Sequence, residues 1–150
     1  MASTLTNLLY HIVFSTKARD NLINPELATK LHPYIGGVIR GEKGRLLKIG
    51  GTANHVHILA MFSPSVSVSE MLRRIKGYSS KWVNDEKRQR KRFSWQSGYG
   101  AFSVSESMLG RVSKYIEGQE EHHKKMTFKE EFLLLLKKYN VEYDDRYIWD

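Results

Sequence analysis

Two histidines stand two positions apart in Asn54-His55-Val56-His57, within the stretch Asn54 to Phe62 (NHVHILAMF). That stretch reads as a strand, and side chains alternate across a strand, so both imidazoles fall on one face. Val56, Ile58, Ala60 and Phe62 fall on the other, which suits a helix-covered core. Imidazoles side by side are what a metal pair needs; they are also what two hydrogen-bonded structural histidines look like. Two are too few to close a metal site. His11 joins them if the strand that carries it lies beside theirs. Further along, Tyr115 and Gln119 are spaced i, i+4 on one face of a helix. Gln119 offers a hard oxygen ligand and Tyr115 a phenol oxygen. A core-edge aromatic and a solvated helix residue carry the same signature. His122 and His123 continue that face near the helix end, where the C-terminal dipole favours a cation.

The elements that must position these residues come from a chain of 150 residues, room for one domain spanning 1–150. The absence of cysteine excludes a disulfide framework, a thiolate zinc site and a cysteine nucleophile. No run of about 18 apolar residues is present for a spanning helix. Met1-Ala2-Ser3-Thr4 lacks the basic stretch and apolar core of a signal peptide, which predicts a cytoplasmic protein. Lys plus Arg number 24 against 16 Asp plus Glu, a net +8 that points to a polyanion partner. Residues 71–92 alone hold nine basic residues (Arg73, Arg74, Lys76, Lys81, Lys87, Arg88, Arg90, Lys91, Arg92) against Asp85 and Glu86, or +7. They read as a phosphate-binding segment or as a solvated basic face. Phe93, Trp95 and Tyr99 follow, placed to stack on unpaired bases or to pack in a core or interface.

Leu5 to Phe14 reads as a first strand, and Asn24-Pro25 opens a helix running to about Arg40. Leu46 to Ile49 is a short strand, followed by Gly50-Gly51 as a turn or bulge. After the histidine strand, Val68, Met71, Leu72, Ile75, Ser79 and Trp82 mark a second amphipathic helix. Ala101 to Val104 is a fourth strand. Ser103-x-x-Glu106 and Thr127-x-x-Glu130 have capping-box spacing and predict two further helices. The order begins β-α-β-β-α-β, so the predicted class is α+β, a ferredoxin-like antiparallel sheet with added C-terminal helices. One sheet face is left for a ligand, a partner or those helices.

Asn54-His55-Val56-His57 on a strand, then a basic helix, then Tyr115-x-x-x-Gln119, resembles the small single-tyrosine transposases of bacterial insertion sequences, which are HUH (His-hydrophobic-His) endonucleases. Tyr10 to Lys17 (YHIVFSTK), Trp95 to Tyr99 and the tail YIWD are similar too, and the resemblance covers roughly residues 5–125. It implies that His55, His57 and Gln119 hold one divalent metal, Mg²⁺ or Mn²⁺, and that Tyr115 is the nucleophile. It implies single-stranded DNA with hairpins near the element ends as substrate. It also implies a homodimer in which the tyrosine helix of one subunit faces the histidine pair of the other. The base that would deprotonate the phenol is not identified. A replication-initiator or relaxase nickase, and a domesticated or other non-catalytic nucleic-acid module, are the alternatives. The first usually carries extra domains, and the second needs exposed aromatics on the central strands.

Overall fold

In a computed structural model of the chain, which describes residues 3–86 and 90–150, the strands and α-helices run β1 (Leu8–Ser15), α1 (Pro25–Gly41), β2 (Arg45–Thr52), β3 (His55–Phe62), α2 (Val68–Asp85), β4 (Gly100–Ser103), α3 (Leu109–Glu117), α4 (Gln119–His122) and α5 (Phe128–Lys138). The strands form one antiparallel sheet in the order β2-β3-β1-β4. This is the ferredoxin-like arrangement that the element order predicts.

Alternation along β1 and β3 sorts the sheet into two faces. Ile12, Phe14, Ile58 and Phe62 point to the layer of α1 and α2, where Leu31, Ile35, Met71 and Ile75 complete the main core. Asn24 caps α1, its side chain accepting from the Leu27 amide at 2.7 Å. Ser67 caps α2 in the same way through the Glu70 amide. Tyr34 of α1 and Trp82 of α2 stack at 4.5 Å.

The second face is covered by the C-terminal helices. Leu59 meets Val112 and Ile116 of α3. Val13 and Phe102 meet Phe128, Phe132, Leu135 and Leu136 of α5. The capping box at Thr127 and Glu130 starts α5. The predicted box at Ser103 and Glu106 does not form: Ser103 is paired with Tyr10 in the sheet, and a 3-10 turn begins after Ser105 without a side-chain cap.

Two further expectations change, and one reading left open is decided. The first strand starts at Leu8, with Leu5 exposed. Gly50 and Gly51 lie inside β2, and the turn falls at Ala53 and Asn54. Both are needed for close approach: a Cβ on Gly50 would sit 2.6 Å from the Ile116 carbonyl oxygen, and one on Gly51, at φ +152°, 2.1 Å from that of His55. Phe93 and Trp95 are core residues rather than exposed stacking platforms. The Trp95 indole donates to Ser79 Oγ at 2.9 Å, a bond that holds it in place of a base. Tyr99 stays exposed. The tail folds back on its own chain: Ile148 and Trp149 pack on the α5 cluster, and the Asp150 carbonyl accepts from the Gly98 amide at 3.0 Å. No described helix is long and apolar enough to cross a membrane.

Candidate active site

β3 presents His55 and His57 to the second face, and both are fully buried. β1 lies beside β3 with Val13 opposite His57, so His11, two residues along the same face, reaches it: His11 Nε2 is 2.9 Å from His57 Nδ1. α3 rests directly on β2 because Gly50 has no side chain, and this brings Tyr115 over the histidines, 5.7 Å between the ring centres of Tyr115 and His57. The helix breaks at Gly118, and Gln119 begins the next short turn. Gln119 Oε1 nevertheless stands 2.8 Å from His55 Nε2.

The hub of the site is Glu131 of α5, which the motifs left unmarked. It is 1% exposed. Its Oε1 lies 3.0 Å from His57 Nε2 and 3.0 Å from His123 Nε2. Its Oε2 accepts from Gln119 Nε2 at 2.9 Å and from the Tyr115 hydroxyl. A signal for it is present in the sequence. Phe128, Glu131, Phe132, Leu135 and Leu136 are the buried side of α5, so Glu131 is a charge on an apolar stripe at helical spacing. His123 also joins the network, and His122 Nε2 is 3.5 Å from the Tyr115 hydroxyl. Neither imidazole serves merely as a terminal charge for its helix, because α5 brings a carboxylate to them.

Burial governs the protonation states. It pushes His55 down to about 3, with neighbouring His57 adding to the effect. It does the same to His11, and lowers His57. Burial alone would raise Glu131, but hydrogen bonds from His123, His57 and Tyr115 outweigh it and hold the carboxyl well below its usual range. Tyr115 is raised, by burial first and then by its bond to Glu131. At neutral pH the centre therefore holds a buried carboxylate beside the neutral imidazoles of His11, His55 and His57. Its ion-pair partners among the described residues are histidines only. An uncompensated buried charge costs several kcal/mol, so the site suits an added cation.

The donor set fits a divalent metal. The ligand atoms of His55, His57, His123 and Glu131 lie within 4.8 Å of one another. His55 Nδ1 is 2.8 Å from Asn54 Oδ1, and His57 Nδ1 faces His11 Nε2. With protons on both Nδ1 atoms, those outer partners accept them, as acceptors behind metal-binding imidazoles commonly do. Both Nε2 lone pairs then face the Gln119 and Glu131 oxygens at 2.8 and 3.0 Å. Neighbouring ligands of an octahedral ion at about 2.1 Å lie about 3.0 Å apart, which matches. In the other tautomer, Nε2–H donors hold the same atoms together without an ion.

The family profile described as "Transposase IS200 like" matches residues 4–119. The chain belongs to the IS200-like transposase family. It is 28% identical over 129 residues to the transposase for insertion sequence element IS200 of Salmonella typhimurium, covering 83% of this chain and 84% of that one. It is 24% identical over 119 residues to the ISDra2 transposase TnpA of Deinococcus radiodurans, 76% and 85% of the two chains. A crystal structure of a candidate transposase from Deinococcus radiodurans superposes with a TM-score of 0.64 at 21% identity, covering 79% of this chain and 95% of the other. A REP-associated tyrosine transposase bound to a REP hairpin gives 0.62 at 14% identity, over 82% and 72%. Both share the fold. Family membership carries the general activity, DNA strand cleavage and transfer in transposition. Glu131 and His123 lie beyond the matched residues of this IS200-like transposase.

The basic segment sits elsewhere. α2 packs on the sheet face opposite the histidines, and its cations have partners. Arg73 and Arg74 share Glu70, and Arg74 also pairs with Glu42. Lys81 pairs with Asp85. Lys76 donates to the carbonyls of Ser97 and Gly98 at 3.0 and 2.7 Å, and burial lowers it to about 8. Lys91 is 3.9 Å from Asp20, while Arg90 and Arg92 are exposed. Lys87 and Arg88 lie outside the described residues.

Proposed function

We propose that this IS200-like transposase cleaves and rejoins single-stranded DNA at insertion-sequence ends through a 5′-phosphotyrosine on Tyr115. The observation that carries the reading is the position of the Tyr115 hydroxyl: it contacts the same buried carboxylate that touches His57, Gln119 and His123. His55, His57 and Gln119, with Glu131 and His123 aimed at the same point, would hold Mg²⁺ or Mn²⁺, which when bound withdraws charge from the non-bridging phosphate oxygens.

The rest of the chemistry falls to the chain's own groups. Burial keeps Tyr115 protonated in the resting site. Glu131 Oε2 already accepts its hydrogen bond and gives the proton a destination. As the O–H bond breaks and its proton passes to Glu131, the phenol oxygen forms a bond to phosphorus, the bond from phosphorus to the 3′ oxygen breaks, and that oxygen takes the proton from Glu131 as a free 3′-hydroxyl, which leaves the carboxylate as it began. The phosphotyrosine conserves the energy of the broken link, so a second 3′-hydroxyl can attack it and rejoin strands without a nucleotide cofactor.

One nucleophile per chain and two strand ends per element favour a homodimer acting in the cytoplasm, each chain working as one domain. The tyrosine and histidines of one chain already meet, which favours a site built in cis. Hairpins at the element ends dock on Arg90 and Arg92, which are exposed and have no carboxylate partner among the described residues. The hairpin held by the REP-associated relative supports that kind of partner. Incubation with single-stranded element ends and Mn²⁺ should give a covalent protein–DNA adduct on a denaturing gel. Tyr115→Phe should abolish it, and an adduct surviving in that variant overturns the assignment.

A further inference from the structure

A cleft of about 180 Å³ opens between α3 and α5, with His11 and Tyr115 in its wall. Pockets that take whole small molecules run to roughly 300–1,000 Å³, so this one has room for a fragment. Its lining has two characters. Met108 and Tyr139 are apolar surface, and Tyr139 is held by stacking on Phe102 at 4.5 Å. Arg111 and Lys138 supply two cations. Arg111 precedes Tyr115 by one helical turn, and Lys138 follows Glu131 by two, about 10 Å along α5. Both are exposed and neither has a carboxylate partner among the described residues; Lys138 Nζ lies 5.6 Å over the Tyr139 ring, at the edge of the same apolar surface. Lys138 is close enough to His11 to disfavour a charge there. The α2 cations differ: carboxylates or carbonyls already engage them.

We propose that this cleft binds the nucleotide adjoining the phosphate that Tyr115 attacks, with Arg111 and Lys138 on its phosphate and Met108 and Tyr139 against its base. The position rests on the reading of Tyr115 as nucleophile; the chemistry of the ligand, one anionic group beside one flat aromatic group, rests on the cleft itself. Base stacking on aromatic surface beside a cationic track is how single strands are held without sequence preference.

The test uses Tyr115→Phe protein, so that binding is measured without cleavage, and fluorescein-labelled oligothymidylate as the probe. Each phosphate neutralised on a single strand contributes about −0.7 to the slope of log K against log salt. Arg111→Ala with Lys138→Ala should flatten that slope by about 0.7, since the two cations share one phosphate. Lys30→Ala, an exposed lysine on the opposite layer, should leave it unchanged, and Arg111→Lys with Lys138→Arg should restore it. An unchanged slope in the double alanine variant overturns the clamp. The base contact is read from the preference for oligothymidylate over an abasic oligomer of equal length. Met108→Ala should lower that preference, and a preference that does not move removes the base from the cleft. The adduct assay reports on Tyr115 separately. Adduct formation with an unmoved slope leaves the nucleophile and refutes the cleft; a flattened slope without any adduct refutes the nucleophile and leaves the cleft a strand-binding site.

Discussion

Tyr115 donates its hydroxyl hydrogen bond to Glu131, a residue sixteen positions later on a different helix. This contact joins α3 to α5. It also joins the phenol that lies over His57 to the carboxylate that His57 touches. The site is therefore completed by a helix that lies outside the family-matched region.

Glu131→Gln keeps the side chain's shape and replaces one acceptor oxygen with an NH₂ donor. That donor then faces groups that are themselves donors. The substitution should cost roughly 1–3 kcal/mol, a melting shift of several degrees. Mn²⁺ affinity should drop roughly 10- to 100-fold, on the scale of a lost supporting carboxylate. Calorimetry that returned wild-type Mn²⁺ affinity would remove Glu131 from the metal-binding set.

Gly50→Ala should unseat the tyrosine helix. The new methyl would meet the Ile116 carbonyl at 2.6 Å, a backbone atom that cannot turn aside. Overpacking of this kind costs roughly 1–3 kcal/mol. Adduct formation should fall by more than the loss of folded protein explains, because Tyr115 moves with α3. Thermal melting and adduct yield, measured on the same sample, separate the two effects. Wild-type yield in a folded variant would show that the close approach is dispensable.

Subunits carrying Tyr115→Phe, mixed with subunits carrying His57→Ala, should stay inactive. Each chain spoils its own site when tyrosine and histidines come from one chain. Recovery of adduct on mixing, scored by the mass of the labelled chain, would place the tyrosine helix on the neighbouring subunit.

Metal-free protein should lose stability in acid. His11 and His55 are held near 3 in the folded chain, against about 6.5 when unfolded. Between those values the unfolded chain binds more protons, so stability falls as pH drops below about 6.5. Glu131 is also depressed on folding. Its contribution is present above the unfolded value of about 4.3 and is lost as pH falls below it. Melting temperature followed from pH 7.5 to 4 in the presence of a chelator should decline steadily. A flat profile across pH 6.5 to 5 would contradict the neutral, buried imidazoles.

Much of the frame was legible in local sequence. The period of two in β3 placed His55 and His57 on one face and Val56, Ile58, Ala60 and Phe62 on the other, because strand geometry allows no other sorting. Asn24-Pro25 and Thr127-x-x-Glu130 marked helix starts, since capping depends on neighbours within a turn. Ser103-x-x-Glu106 had the same spacing and failed, because a sheet partner 93 positions away claimed Ser103. Phe93 and Trp95 could be read from the sequence either as stacking platforms or as core, and the fold drew them inward.

By itself, then, the sequence determined the element order, the shared face of the histidine pair and the excess of positive charge. Each of these depends on residues a few positions apart or on simple counting. Only the tertiary structure decided that the cations of α2 are engaged by carboxylates and carbonyls, that α3 can rest on Gly50, and that Glu131 and His123 close the centre. Those outcomes depend on which helix covers which sheet face. That choice is made by burial of apolar area across distant segments, and a buried carboxylate is tolerated at Glu131 because four partners from three other elements and the turn after α4 converge on it.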